Sequence, residues 1–131
     1  MMLKFDLKSD KREQFIDITG KIRELISGCG IKEGVVYIFI PHTTAAVTIN
    51  ENADPDVNRD ILAGLSGLAP EKGEYRHSEG NSDAHIKTSL LGSSVTALSS
   101  EGNLVLGVWQ VIFFCEFDGP RKRQVWLKIT G

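Results

Sequence analysis

Val35-Val36-Tyr37-Ile38-Phe39-Ile40, followed by Pro41-His42-Thr43-Thr44, is the stretch on which the reading of the fold turns. The run is apolar on both faces, so it reads as a central strand of a sheet. Pro41 has no amide hydrogen and ends or interrupts the ladder there. Strand alternation then puts His42 on the face of Val36, Ile38 and Ile40, at the strand's end.

Upstream of this run, residues 3–8 alternate apolar and polar as a half-buried strand does. Residues 15–18 form a second short strand candidate. Thr19 is placed to cap a helix starting near Gly20, with Ile22, Leu25 and Ile26 on one face and Gly28 and Gly30 as its stop. Downstream, residues 44–50 alternate again. Asp54 is a good N-cap with Pro55 at the first helical position, and the helix runs to about Leu65 through Val57, Ile61 and Leu62. Gly67 to Gly73 is loop. Asn81 or Ser82 caps a short helix carrying Ala84, Ile86, Leu90 and Leu91, ended by Gly92. Three strands are expected at 94–98, 104–117 and 123–129. The last two are read as a hairpin around Asp118-Gly119-Pro120, which sets Glu116 opposite Arg121. The expectation is one α+β domain over residues 1–131, sheet-dominated and mainly antiparallel, with six or seven strands and about three helices. Trp109, Phe113, Phe117 and Trp126 lie on both faces of the hairpin, which points to a self-association surface.

Composition narrows the function classes. A chain of 131 residues with 41% hydrophobic and 24% charged residues suits a soluble globular domain with its own core. A net charge of −2, with Arg121-Lys122-Arg123 as the one basic cluster, gives no nucleic-acid signal. No apolar run nears the roughly 20 residues that span a bilayer. The opening residues are charged by Lys4 and alternate, unlike a signal peptide. Cys29 and Cys115 are isolated, as reduced thiols of a cytoplasmic protein are.

The residues with chemistry in them are the three histidines. His77 and His85 share a polar stretch with Glu79, Asn81 and Asp83, broken by Gly80, and His42 stands after the central strand. Three neutral imidazoles with carboxylates nearby are ingredients of a divalent-metal site. Their spacing matches no local zinc motif, so any convergence is tertiary. The plain alternative is that His77 is a surface loop residue and His42 a satisfied strand-end residue. Thr43, Thr44, Arg121 and Arg123, with Asn81 and Ser82 at a helix start, are candidate anion ligands. Gln110 reads as a satisfied polar residue, and Cys115 as packing. No nucleophile elbow, P-loop or dinucleotide loop is present.

Three blocks carry a resemblance. They are His42-Thr43-Thr44 with Thr48-Ile49-Asn50-Glu51-Asn52-Ala53-Asp54-Pro55, His77 through Lys87 with Leu91-Gly92, and Leu106-Gly107-Val108-Trp109-Gln110 with Glu116 through Arg121. Together they resemble the YjbQ-like family, to which a secondary thiamine-phosphate synthase activity has been attached. Val108 stands where the pattern has Thr. The resemblance implies a homotrimer with a polar pocket lined by the three blocks, between subunits. It implies a divalent metal, zinc or with a pyrophosphate substrate magnesium, on His42, His77 and His85. It further implies a small phosphorylated substrate contacted by Thr43, Asn50, Asn81, Lys87, Gln110 and Arg121. Glu51, Glu79, Asp83 and Glu116 are the candidates to orient ligands or act as base. Condensation of a pyrimidine pyrophosphate with a thiazole phosphate builds charge on departing pyrophosphate, which a metal and arginines stabilise. Metal-dependent hydrolysis, or anion binding without catalysis, fits the same residues.

Overall fold

The apolar run forms the middle strand of a five-stranded sheet. A computed structural model describes all 131 residues. In chain order its elements are β1 (Met2–Lys8), β2 (Gln14–Asp17), α1 (Thr19–Gly28), β3 (Gly34–Phe39), β4 (Ala45–Glu51), α2 (Pro55–Leu68), α3 (Ser82–Leu91), β5 (Ser94–Ser100), β6 (Asn103–Val105), β7 (Gln110–Glu116) and β8 (Lys122–Thr130). One sheet has the order β1-β8-β3-β5-β6 and the other the order β2-β7-β4. Every pairing is antiparallel.

Period-two alternation builds the core. Val36 and Ile38 of β3, Val125, Leu127 and Ile129 of β8, and Ala97 of β5 point at the smaller sheet, which returns Ala45, Val47, Ile112 and Phe114. Ile22 and Ile26 of α1 close the same cluster. The other face of the smaller sheet presents Ala46, Phe113 and Cys115, and with Phe117 these meet Leu65 of α2 and Ala84 of α3. The layers are therefore sheet, sheet and helices. The α+β reading holds, with three helices and eight strands.

Several expectations are corrected. Residues 104–117 are not one strand. The chain ends β6 at Val105, turns at Gly107–Gln110 and re-enters the other sheet as β7. The Gln110 side chain accepts the Gly107 N–H at 2.8 Å and holds this turn. Nor is there a hairpin between the last two strands. Both edges of β7 are taken by β2 and β4, and both edges of β8 by β1 and β3, so the two have no free edge to share. Residues 117–121 carry the chain from one sheet to the other instead. Thr19 does not cap α1. Its Oγ1 accepts the Ile112 N–H at 2.8 Å, and Asp17 accepts the Thr19 N–H at 2.9 Å. Asp54 does cap α2, taking the Asp56 N–H, with Pro55 at the first position. The helix continues to Leu68. Of the apolar stripe expected on α3, Ala84 is buried and Leu91 packs against the core, but Ile86 and Leu90 are exposed and Asp83, Lys87 and Thr88 are buried in their place.

Within one chain β3 is also covered on one side only. Tyr37 and Phe39, at 45% and 42% exposure, point outward with Leu98 and Val105. Trp126 lies among them, 5.9 Å from Phe39 between ring centroids, with the Lys4 ammonium 4.7 Å above its ring.

Close backbone approach makes Gly34 obligatory. A Cβ there would stand 2.3 Å from the Thr130 carbonyl oxygen, across the β3–β8 ladder. Gly64, exposed within α2, has nothing within 4 Å of its virtual Cβ. Gly34→Ala should therefore lower stability by about 1–3 kcal/mol. Gly64→Ala should raise it by up to about 1 kcal/mol. Urea denaturation midpoints check both, and equal destabilisation by the two would refute the contrast.

Candidate functional site

The polar machinery gathers where the two sheets splay apart beyond the end of β3. Glu116 ends β7 in one sheet and Arg123 lies in β8 in the other, and both are buried. Arg123 Nε donates to Glu116 Oε1 at 2.9 Å, and its Nη2 bridges to Glu116 Oε2. The same Nη2 donates to Thr44 Oγ1 at 2.9 Å. Ser9, fully buried after β1, donates to Glu116 Oε1 at 2.6 Å, and the Asp118 N–H donates to Oε2. Burial pushes the Glu116 carboxyl up, but the hydrogen bonds from Arg123, Ser9 and Asp118 outweigh it and hold it below its ordinary value. A carboxylate so saturated is a strut and not a free base.

Next to this strut, Asp118 accepts from Asn81 at 2.8 Å and from Arg121 Nη2 at 2.9 Å. Arg121 thus pairs with Asp118 and not with Glu116, and its half-exposed side chain stays open to a ligand. Beneath α3, Asp83 accepts both Arg12 guanidinium nitrogens, at 3.1 and 2.9 Å. Lys87, fully buried, donates to Glu13 at 2.7 Å and to Asp83 at 3.1 Å. Burial raises the Asp83 carboxyl, yet the bonds from Arg12 and Lys87 win and keep it below the usual range. The structure thus places Asp83 and Lys87 in an internal lattice of charge, closed to a substrate. This inverted polarity is why α3 lacks an apolar stripe.

His42 stands at the junction of three clefts. One, of about 580 Å³, is lined by Asp6, Lys8, Lys122, Arg123 and Gln124. A second, of about 520 Å³, is lined by Thr43, His85, Thr88, Ser89 and Ser93. The third adds Phe39, Thr44, Arg121 and Arg123. His42 Nε2 accepts the Gln124 N–H at 2.9 Å, so in the neutral ring Nδ1 carries the proton and can donate to a ligand. Burial lowers the imidazole's affinity for a proton, and Arg123 lowers it further. His85 shares a cleft with His42 and another with His77, whose ring centroid is 5.5 Å away. Glu79 Oε1 is 3.9 Å from His77 Nε2 and largely exposed. Imidazole nitrogens around His85 suit a borderline metal in donor chemistry. No group of three or more His, Cys, Asp or Glu side chains is already arranged around one point within the chain.

Asn50, Glu51 and Gln110 lie elsewhere. Glu51 pairs with Gln110 at the far end of β4. Seven strand residues separate that end from Thr44 by about 20 Å. The chain brings His42, Thr43, His77, Glu79, Asn81, His85, Glu116 and Arg121 to one end and leaves these three at the other. Sequence reasoning missed Ser9, Arg12 and Glu13. A buried polar loop after an alternating strand leaves no periodic trace, although the Lys8–Glu13 run of polar residues before β2 was visible.

Breaking a buried pair from one side strands the other charge. Glu116→Gln should cost about 3–5 kcal/mol at pH 7. Because the carboxyl sits below its ordinary 4.5 in the folded chain, this contribution is complete above pH 4.5. It is lost as pH falls through the lower folded value. The gap between wild type and Glu116→Gln in chemical denaturation should accordingly narrow below pH 4.5, and a constant gap down to pH 2 would contradict the assignment.

Residues 3–131 match the family model described as UPF0047 protein YjbQ-like. A UPF0047 protein of Methanocaldococcus jannaschii is 52% identical over 131 residues, covering 100% of this chain and 95% of that protein. UPF0047 protein YugU of Bacillus subtilis is 46% identical, with 100% of each chain covered. The crystal structure of an uncharacterized conserved protein of the YjbQ/UPF0047 family from Clostridium acetobutylicum superposes with a TM-score of 0.95 at 52% identity, over 98% of this chain and 99% of that one. A protein of unknown function from Sulfolobus solfataricus gives 0.95 at 30% identity, over 100% and 96%. With its motif blocks matched along nearly its whole length, the chain belongs to the UPF0047 YjbQ-like family.

Proposed function

We propose that this protein is an enzyme acting on a small phosphorylated molecule bound beside His42. The observation that carries the reading is the junction itself: a neutral imidazole shared by adjoining clefts, two of which present Lys8, Lys122, Arg121 and Arg123. Arginine forks and ammonium groups are the natural partners of phosphoryl oxygens. A divalent metal, zinc by donor chemistry, would be held by His77 and His85, and by His42 once its Nε2 gave up the Gln124 N–H, and would supply Lewis acidity at the phosphoryl group; magnesium would instead come on the oxygens of a pyrophosphate substrate.

Thiamine-phosphate synthase-like transfer is the specific chemistry we assign. The thiazole nitrogen lone pair forms a bond to the pyrimidine methylene carbon. The carbon–oxygen bond breaks, and its electron pair leaves on pyrophosphate. No proton moves in that step, so saturated Glu116 and Asp83 are no obstacle. Arg121 would hold the departing charge. Hydrolysis of a phosphorylated metabolite is the second reading. It is favoured by the cleft between His42 and His85, which has no hydrophobic lining residue and room for water.

A homotrimer completes the proposal. The outward Tyr37, Phe39, Leu98 and Val105 form an apolar face of the kind that self-association covers. A neighbouring subunit would bring Asn50, Glu51 and Gln110, with exposed Trp109, to the His42 end. No helix is long and apolar enough to cross a membrane.

Purified protein should carry about one metal ion per chain, lost in a His42→Ala, His77→Ala, His85→Ala triple variant; elemental analysis reads this. Thiamine phosphate should form from the two precursors and fall to background in His42→Ala. Absence of product would remove the transferase, and turnover of phosphoesters that stops on chelation would establish the hydrolase. Glu51→Gln and His42→Ala homotrimers should each be inactive. Co-refolding them at equal ratio should restore about a quarter of the sites by random assortment of subunits. No recovery in mixed trimers would place each site within one chain.

A further inference from the structure

The cleft between His42 and His85 differs in chemistry from its neighbours. Thr43, Thr88, Ser89 and Ser93 join the two imidazoles as its walls, and it holds neither cation nor carboxylate. Its neighbour holds Arg121 and Arg123, and His42, Thr43 and Ser93 line both. Thr88 is only 8% exposed, and its hydroxyl oxygen makes no hydrogen bond within the chain. Ser89 donates to the His85 carbonyl at 2.9 Å and keeps its lone pairs.

Three kinds of occupant can be weighed. An anion would meet no lysine or arginine there, whereas the adjoining cleft has two guanidinium groups. An apolar group would leave the serine and threonine hydroxyls unpaired, and an unmade buried hydrogen bond costs more than a made one returns. A neutral, hydroxylated group both donates and accepts, as the walls do. The volume of about 520 Å³ suits a ligand of a few carbons.

We infer that this cleft is a hydroxyl-binding subsite, and that the ligand is a phosphorylated polyol or sugar. Its phosphoryl group meets Arg121, and its hydroxylated carbons extend past His42 to Thr88. This rests on the phosphorylated-substrate reading above in its second, hydrolase form, and a polyol preference would count against the thiamine-precursor form.

Isothermal titration of the full chain with two esters of equal carbon count tests it. Glycerol 3-phosphate should bind about tenfold more tightly than propyl phosphate, which lacks the hydroxyls. Thr88→Val keeps the side-chain shape and should erase that preference while leaving propyl phosphate affinity unchanged. Thr88→Ser should restore it, and Ser93→Ala, at an exposed position, should weaken it. Equal binding of the two esters overturns the subsite alone, as does a preference untouched by both Thr88→Val and Ser93→Ala. If neither ester nor inorganic phosphate binds, the phosphorylated-substrate reading falls with it.

Discussion

The ion pair between Glu116 and Arg123 is the constraint on which the rest of the molecule depends. It joins the end of β7 to β8 across the gap between the sheets, where no ladder hydrogen bond can reach. Burying two charges costs several kcal/mol each, and Coulomb attraction alone does not recover it. Here each charge has further partners. Ser9 and the Asp118 N–H satisfy the carboxylate, and Thr44 satisfies the guanidinium. Its value is then less in net stability than in position. Thr44, Asp118 and Ser9 belong to three different connections, and the pair pins all of them at one end of the sandwich.

His42 inherits its character from that arrangement. Burial and the Arg123 charge favour the neutral ring, while the Gln124 N–H decides which nitrogen carries the proton. A second internal lattice orients His85. Arg12 and Glu13, in the connection before β2, grip Asp83 and Lys87 on α3 and fix which face of that helix looks outward. Charge inside and Ile86 and Leu90 outside is the reverse of an ordinary surface helix, and it turns His85 toward the cleft shared with His42. Both lattices leave their carboxylates fully engaged, so neither Glu116 nor Asp83 is a free base.

The fold was legible wherever one residue's neighbours along the chain are also its neighbours in space. Alternation marked β1, β4 and β8, and Asp54-Pro55 marked the start of α2, because capping and pleating are local. The failures share a cause. Leu104–Phe117 keeps strand-like composition through Val108 and Trp109, yet a hydrogen bond from the Gly107 N–H to the Gln110 side chain holds a turn there and the chain passes into another sheet. The turn residues at 118–120 looked like a hairpin because sequence shows turns but not which edges are already occupied.

For the candidate site, the sequence by itself determined the membership: three histidines at element ends, polar blocks around them, and a basic cluster with no acidic run nearby. Only the tertiary structure decided the roles. Glu116, Asp83 and Lys87 became buried struts, Arg121 stayed open, and Asn50, Glu51 and Gln110 went to the opposite end of β4. The reason is that a side chain's chemistry is set by what surrounds it, and here those surroundings come from residues more than a hundred positions away, as Ser9 is from Glu116.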